Sequence, residues 1–477
     1  MSLTPSFPRG PLALAATLLL GACAGLPAPQ TAPSIKPVGQ YASTGSFAAP
    51  ARAWPSDAWW SAYGDAQLDA LMAEALAGSP NLAEAQARLA RAQAAAQVSD
   101  AARGPQVGAN ASATQQKQSS NYLSPSAATP QGWNDYGRAT LDFSWELDFW
   151  GKNRAALAAA TSEAEAARAD AAQARLVLTT SLAAAYAEFA REHAVLATAR
   201  AAREVRGKTA ELFRRRHEHG LETLASVRQV EARRASAEGD VLAIEEQIVL
   251  QRHRIATLLG AGPDRGLALA RPTVDLALPA GLPAQLSAQL LGRRPDIVAA
   301  RLRAEAASQR IAQSRAAFYP NVNLVAFVGV QSLGLDMLTK DGSGIGSVGP
   351  ALSLPIFDGG RLRGQLRGAE ADYAQAVASY DRTLVQALQE VADAAASRQA
   401  LAPQIERGDE AVTAARDAWR LQGNRYAGGL ATYLEVLSAE DVLLANQRTQ
   451  TDLQSRSFTL DVALVRALGG GYTTTHP

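Results

Sequence analysis

Cysteine is almost absent from this chain of 477 residues: Cys23 is the only one, which excludes an intramolecular disulfide. Charge of either sign in excess is absent as well, with 46 Lys and Arg against 45 Asp and Glu, so nothing in the balance points to nucleic acid. Aromatic residues make up only 6%, and alanine supplies much of the 47% hydrophobic content. That composition suits long packed helices better than a thick aliphatic core. The apolar run PLALAATLLL after Arg9 is too short to cross a bilayer. Catalytic chemistry is missing too. The five histidines are scattered, and His217 and His219, two apart on a helix, point to different faces, which argues against a metal site. Gly344, Gly346 and Gly349 satisfy G-x-G-x-x-G, but the stretch reads as a flexible loop before a strand and not as the strand-to-helix turn of a dinucleotide site. Without a nucleophile, phosphate loop or cofactor motif, the expectation is a protein that is not an enzyme and needs no cofactor.

What is present begins at the N-terminus. Arg9, the short apolar run and then LGAC at Leu20 to Cys23 read as a secretory signal over residues 1–22. The small residues before Cys23 resemble the bacterial lipoprotein processing site, with Gly21 a mild departure; that resemblance implies a lipid on Cys23. Ala24 stands where an aspartate would suggest retention at the inner membrane, which favours the outer one. Residues 23–64, rich in Pro, Ala and Ser, read as an extended tether.

The rest of the chain is written twice. GSPNLAEAQARLARAQ around Pro80 corresponds to RRPDIVAARLRAEAAS around Pro295, and Pro105 to Pro320, both at a spacing of 215. FWGKNR at Phe149 corresponds to DGGRLR at Asp358, and GLETLASVRQVEA from Gly220 to GLATYLEVLSAED from Gly429, at a spacing of 209. The expected plan is a first repeat over 65–260, a proline-rich connector over 261–285, a second repeat over 286–469 and a tail over 470–477. Each repeat should hold a helix (Leu68 to Arg103; Leu286 to Phe318), a strand (107–114; 321–330), a loop (115–134; 331–347) and a second strand. A very long helix follows, from Lys152 to Glu218 and from Arg361 to Tyr426, then a shorter return helix. At about 1.5 Å per residue the long helices reach on the order of 100 Å, which no compact domain needs.

In LDFSWELDFW (141–150) the residues Leu141, Phe143, Trp145, Leu147 and Phe149 fall on one face and Asp142, Ser144, Glu146 and Asp148 on the other. Val348, Leu352, Leu354 and Ile356 match the Trp145 face in the second copy. Amphipathic strands of this length have the pattern of transmembrane β-strands, with Asp142, Glu146 and Asp148 facing a wet pore rather than forming a catalytic acid pair. A half-buried sheet in a soluble domain would alternate in the same way. Four strands cannot close a membrane barrel, and open edges cost several kcal/mol per unpaired group in hydrocarbon, so two, three or four copies must assemble. The alanine- and leucine-rich helices need the same partners, packed side by side into a hollow cylinder.

The cysteine site, the duplicated plan, SWELDFWGKNR, PIFDGGRLR, RRPDI and RYAGGLATYLEVLSAED together resemble the TolC-like outer-membrane efflux channels, in particular the lipoprotein branch that serves resistance-nodulation-division pumps. The resemblance covers essentially the mature chain. It implies an α+β membrane protein forming a homotrimer, with a 12-stranded β-barrel in the outer membrane continuous with a 12-helix periplasmic α-barrel. It implies a passive exit duct for drugs or other small toxic compounds, working with a periplasmic adaptor and an inner-membrane pump. The same duct serving type I protein secretion, and a non-channel scaffold lipoprotein, are the alternatives. The resemblance also places a gate at the tips where the long helices turn back, around Gly220 and Thr223 and around Gly429 and Thr432. Tyr426 matches the family's tip tyrosine, Glu435 falls where some members carry aspartate, Ser438 replaces a second aspartate, and Asp441 stands where relatives often have arginine. Tyr426 and Glu435 are therefore expected at the constriction, while Asp441 could equally be a solvated helix charge.

Overall fold

The computed structural model describes residues 33–42, 45–47, 53–119, 121, 130–274, 283 and 286–473. The signal segment and Cys23 lie outside the described residues. Eight α-helices and four strands are described: α1 (Ala66–Gly78), α2 (Pro80–Ala101), β1 (Gln106–Lys117), β2 (Trp133–Leu147), α3 (Lys152–Glu218), α4 (Leu224–Leu258), α5 (Leu286–Arg293), α6 (Pro295–Ala316), β3 (Asn321–Leu333), β4 (Gly344–Ser353), α7 (Arg361–Ala427) and α8 (Tyr433–Ala467). The duplication is visible in their lengths. The pairs α2/α6, α3/α7 and α4/α8 have 22, 67 and 35 residues in both members.

Where the expected first helix of each repeat ran unbroken, the structure breaks it at a proline. Ser79 takes an extended backbone, φ −69° and ψ 120°, and Pro80 opens α2; Arg294 and Pro295 divide α5 from α6 in the same place. A residue before proline is pushed out of the helical region, while proline itself is well suited to a first helical turn. Pro403, by contrast, lies inside α7. Its missing donor costs about 3 kcal/mol in an isolated helix, and burial of Leu401, Val412 and Ala415 on the same helix offsets it.

The chain divides into two compact units. The first contains Leu89–Ala167 and Ala300–Tyr380; the second contains Lys36–Arg88, Arg168–Ala299 and Asp381–Pro477. In the first unit the strands form one antiparallel sheet in the order β1-β2-β3-β4, so β1 and β4 are its edges. Both second strands differ from expectation. β2 begins at Trp133 and ends at Leu147, so Phe149 and Trp150 lie beyond it; β4 begins at Gly344, within the stretch read as a loop, and ends before Leu354 and Ile356. Gly344, Gly346 and Gly349 are therefore strand residues paired with Val330, Val328 and Val325 and not a flexible turn. Glycine-rich composition masked a strand whose hydrogen bonds come from its neighbour.

In the second unit the core gathers Leu182, Tyr186 and Phe189 of α3, Ile244, Ile248 and Ile255 of α4, and Phe458, Val462 and Val465 of α8. Leu68, Leu71 and Met72 of α1 close it, together with Trp59, Trp60 and Tyr63 from a short 3-10 turn. Each large side chain buried this way contributes about 1.5–3 kcal/mol. The expected tether over 23–64 is thus too long, because its last aromatic residues belong to the core. The connector also begins with a 3-10 turn, Pro263–Ala268, whose Arg265 pairs with Glu74 at 2.8 Å. α1 starts where it does because Asp65 accepts from the N–H groups of Gln67 and Leu68 at 2.9 and 3.2 Å, satisfying donors that the first turn leaves open.

Candidate functional site

Register fixes which sheet residues share a face. Asp142 lies opposite Gly108 and Phe327, so Arg138, Thr140, Asp142, Ser144 and Glu146 of β2 line up with Asn110 of β1 and Asn323 and Gln331 of β3. Asp142 accepts from Asn110 Nδ2 at 2.8 Å and Thr140 Oγ1 at 2.9 Å, and Glu146 pairs with Lys152 at 2.6 Å. Val325, Phe327 and Ile345 are apolar exceptions on this face, and Arg138 lies over the Phe327 ring at 5.2 Å from the centroid. The opposite face carries Val107, Leu141, Val328, Val348 and Leu352, which are 55–76% exposed. An antiparallel sheet whose greasy face is that open is a lipid-facing surface or an interface, not half of a soluble core.

Asp148 does not belong with Asp142 and Glu146. The strand stops at Leu147, and the Asp148 carboxylate accepts from the backbone N–H groups of Asn153 at 3.1 Å and Arg154 at 2.8 Å. It caps the start of α3, where four backbone donors lack partners. Asp358 performs the same task for α7 through Gly360 and Leu362, both at 2.9 Å. Trp150 packs on Tyr319 with ring centroids 4.6 Å apart, and its indole N–H donates to the Pro320 carbonyl at 2.9 Å.

The long helices turn back in the second unit through two matching turns. Gly220 (φ 67°) follows the end of α3 and Gly429 (φ 72°) the end of α7, both in a left-handed conformation that glycine adopts without strain. Leu221 N–H then bonds back to Arg216 O and Leu430 N–H to Arg425 O, both at 2.8 Å, closing the helix ends. Thr223 accepts from Ser226 N–H at 3.1 Å to start α4. At the start of α8 the Glu435 carboxylate accepts the Thr432 N–H at 2.8 Å, the returning half of a capping box.

Tyr426 sits against this turn. Its hydroxyl donates to Glu222 Oε1 at 2.9 Å, Arg216 lies over its ring at 5.4 Å, and Tyr433 packs edge-on at 5.0 Å. Phe213, Val227, Val230 and Leu437 form the small buried cluster beneath. Burial and the Glu222 carboxylate push the Tyr426 hydroxyl up to about 12, so it stays a donor. One turn of residues therefore joins the α3–α4 hairpin to the α7–α8 hairpin.

Asp441 is not a free acid: it pairs with Arg233 at 2.7 Å and Arg206 at 3.1 Å, and Arg206 also holds Glu440 at 3.4 Å. Glu440 is 4% exposed, and burial raises its carboxyl above the usual range. Glu435 and Ser438 are exposed. Sequence reasoning found Tyr426 and both turns but missed Glu222, Arg206, Arg233 and Glu440. Glu222 lies inside the repeated segment GLETLASVRQVEA, and only the pairing of the two hairpins shows what it holds.

Among the described residues no group of three or more His, Cys, Asp or Glu could hold a metal ion, and no helix is long and apolar enough to cross a membrane. The first unit's sheet, polar on one face and apolar on the other, and the second unit's hairpins of long helices each fit an outer-membrane channel subunit. The chain matches the family described as outer membrane efflux protein over residues 71–261 and 286–470, and it belongs to that family. It is 33% identical over 426 residues to the multidrug resistance outer membrane protein MdtP of Escherichia coli, covering 88% of this chain and 87% of that one. With the fusaric acid resistance protein FusA of Burkholderia cepacia it shares 42% identity over 323 residues, covering 67% of this chain and 60% of that protein. Its fold matches the outer membrane protein VceC of Vibrio cholerae with a TM-score of 0.84 at 52% identity, over 88% of this chain and 100% of that one. The outer-membrane channel OprN superimposes with a TM-score of 0.81 at 28% identity, over 94% and 98%. The chain is an outer-membrane protein of the efflux-channel class, and its α+β fold with four strands and very long helices is the one expected from sequence.

Proposed function

We propose that this chain forms the exit duct of a tripartite efflux system, passing small toxic organic compounds from the periplasm to the exterior. The observation that carries this reading is the four-stranded sheet, which has two open edges and an exposed apolar face and leads into helices of 67 residues. Closing those edges in a membrane demands further copies. The family resemblance supplies the number three, which gives a 12-stranded barrel above a 12-helix tunnel. A lipid on Cys23 tethers each copy to the outer membrane. The duct is passive and catalyses no reaction; an inner-membrane pump supplies the energy, and a periplasmic adaptor joins pump to helix tips. Closure at rest is held at those tips by Tyr426 on Glu222, with Glu435 adding a ring of negative charge near the axis and Asp441 tying its helix to Arg206 and Arg233.

Efflux is favoured over protein secretion because the curated relatives carry names of multidrug and fusaric acid resistance. The test is a strain lacking its own channel, supplied with this chain and a matching adaptor and pump, in which intracellular accumulation of a fluorescent drug is followed. Lowered accumulation is expected. Unchanged drug accumulation together with restored export of a secreted protein would overturn the proposal.

A further inference from the structure

The face of the sheet that carries Leu141 changes character along its length. Towards the helices it presents Val107, Leu141, Phe143, Val328, Val348 and Leu352. Towards the other end, apart from Val330, the same face offers little more than Ala111, Ala113, Gly137, Ala139, Gly344 and Gly346. Beyond Gly137 it turns polar, with Asp135 opposite Gln115. From Gly137 to Leu147 lies one stretch of β2, and a strand of that length, rising about 3.4 Å per residue and tilted about 40°, climbs about 25 Å, the height of the apolar band of an outer-membrane barrel. The band is therefore thin in side chains at the end away from the helices.

The connection from β3 to β4 fills that end. Gly334 (φ 91°) turns the chain after β3 and its N–H bonds to the Asp135 carbonyl at 2.6 Å, and Leu335–Met337 then form a short 3-10 turn. A Cβ added to Gly137 would lie 2.9 Å from Leu335 Cδ2 and 3.3 Å from both Leu338 methyl carbons. Side chains alternate between the faces of a strand, and Gly137 has the parity of Leu141 and Phe143. Both leucines thus sit on the apolar face, in a seat that only a glycine leaves open. The connection is fixed there, since Gln331 N–H bonds to the Ser343 carbonyl and the buried Ser343 hydroxyl donates to the Met337 carbonyl, both at 2.8 Å. Leu335 and Met337 remain 46% and 41% exposed, while Asp336, Lys340 and Asp341 make an exposed polar rim.

We infer that the β3–β4 connection is a membrane-contacting collar: Leu335, Met337 and Leu338 complete the lipid-facing band at the exterior end of the strands and lie in the outer leaflet at its headgroup boundary. This rests on the membrane reading of the sheet above and adds a lipid contact for a segment outside the strands. The occupant follows from continuity, because the exposed apolar side chains of the turn extend the exposed face of Leu141 and Val328 up to the level where that face becomes polar. A short apolar turn with charged residues interleaved is suited to a boundary between hydrocarbon and water. Lys340, with Nζ 3.3 Å from Met337 Sδ and 3.7 Å from Asp336, lays its stem along the methionine and can hold its ammonium among lipid phosphates. One consequence concerns the duct: a connection seated on the outer face does not cover the mouth.

Fluorescence quenching in the full-length protein, reconstituted in phospholipid vesicles, tests the placement. Met337→Cys, Leu141→Cys on the apolar face and Asn110→Cys on the polar face are each labelled with a polarity-sensitive dye, and the parent protein carried through labelling corrects for Cys23. Quenchers are aqueous iodide and phospholipids spin-labelled near the headgroup. The Met337 dye is expected to follow the Leu141 dye, quenched by the lipid label and about threefold less accessible to iodide than the Asn110 dye. Iodide quenching at Met337 equal to that at Asn110, with none from lipid, would place the turn in the aqueous mouth and overturn the collar while the Leu141 dye still reports lipid. Absence of lipid quenching at Leu141 as well would overturn the membrane reading of the sheet and the collar with it. Gly137→Leu fills the seat, and Leu335→Ser with Leu338→Ser empties it from the other side; each is expected to raise iodide quenching at Met337 towards the Asn110 value in protein that still conducts. Unchanged shielding in both would overturn the role of the Gly137 seat.

Discussion

Replacing Tyr426 by phenylalanine removes one hydroxyl and leaves the ring on Tyr433 and under Arg216. The bond lost runs to a carboxylate at 2.9 Å, and bonds to charged groups contribute about 1.5–3 kcal/mol. Tyr426 is half-buried and Glu222 keeps Arg216 at 3.7 Å, so solvent and the second partner should bring the loss below that range, to about 1 kcal/mol per copy. If three copies open together, about 3 kcal/mol is removed from the closed state, which shifts the closed-to-open ratio roughly a hundredfold. Single-channel recording in a planar bilayer should show open probability rising accordingly for Tyr426→Phe, with unit conductance little changed. Influx of a large antibiotic into pump-deficient cells should rise in parallel. Glu222→Gln tests the same bond from the other side and should have the same sign. If both variants gate like the parent, this contact does not hold the tip closed. Titration adds a further check. The folded value of Tyr426, about 12, lies above its ordinary value of 10, so the contribution of the hydroxyl is complete below pH 10 and is lost as pH rises towards 12. Between pH 5 and 9 its contribution to closure should therefore be constant.

Other sites give separate expectations. Glu435→Gln keeps the acceptor on Thr432 but removes the charge, whereas Glu435→Ala removes both; the alanine variant alone should lose about 0.5–1 kcal/mol in denaturant titration, and both should alter conductance if the charge lies at the constriction. Equal conductance in all three proteins would remove Glu435 from the gate. Asp441→Asn and Arg233→Gln, combined in a double-mutant cycle, should show a coupling of about 0.5–1 kcal/mol that shrinks at high salt; zero coupling at low salt would make Asp441 a merely solvated charge. Arg294 is 5% exposed and ties Asp296 at 2.6 Å to Glu390 at 2.7 Å, so Arg294→Ala should cost about 3 kcal/mol in thermal or denaturant unfolding. A loss under 1 kcal/mol would show that the remaining acids relax into water.

The long elements were legible in sequence because their signals are local. Lys152 and Arg361 follow glycines, and Gly220 and Gly429 follow the helix ends, so α3 and α7 could be read nearly to the residue. Pro80 marks the break between α1 and α2, but the alanine-rich pattern continues across it and reads as one helix. Strand limits were harder, because Gly344 to Gly349 is a strand only by virtue of β3 beside it. Asp148 alternates correctly with Asp142 and Glu146 in the sequence, yet nothing in the alternation reveals that the backbone turns at Leu147 and that the carboxylate caps a helix. At the tip, Tyr426 was legible through its family motif. Its partner Glu222 comes from the other hairpin, 204 residues away, and long-range pairing of that kind leaves no local mark.

The most direct measurement is current through the purified full-length protein reconstituted in a planar bilayer. Discrete steps of uniform size are expected from protein of defined oligomeric state, since the sheet edges close only around a pore. Folded, membrane-inserted protein that carries no current under any voltage or pH, in the parent and in Tyr426→Phe alike, would contradict the reading of this chain as a channel wall.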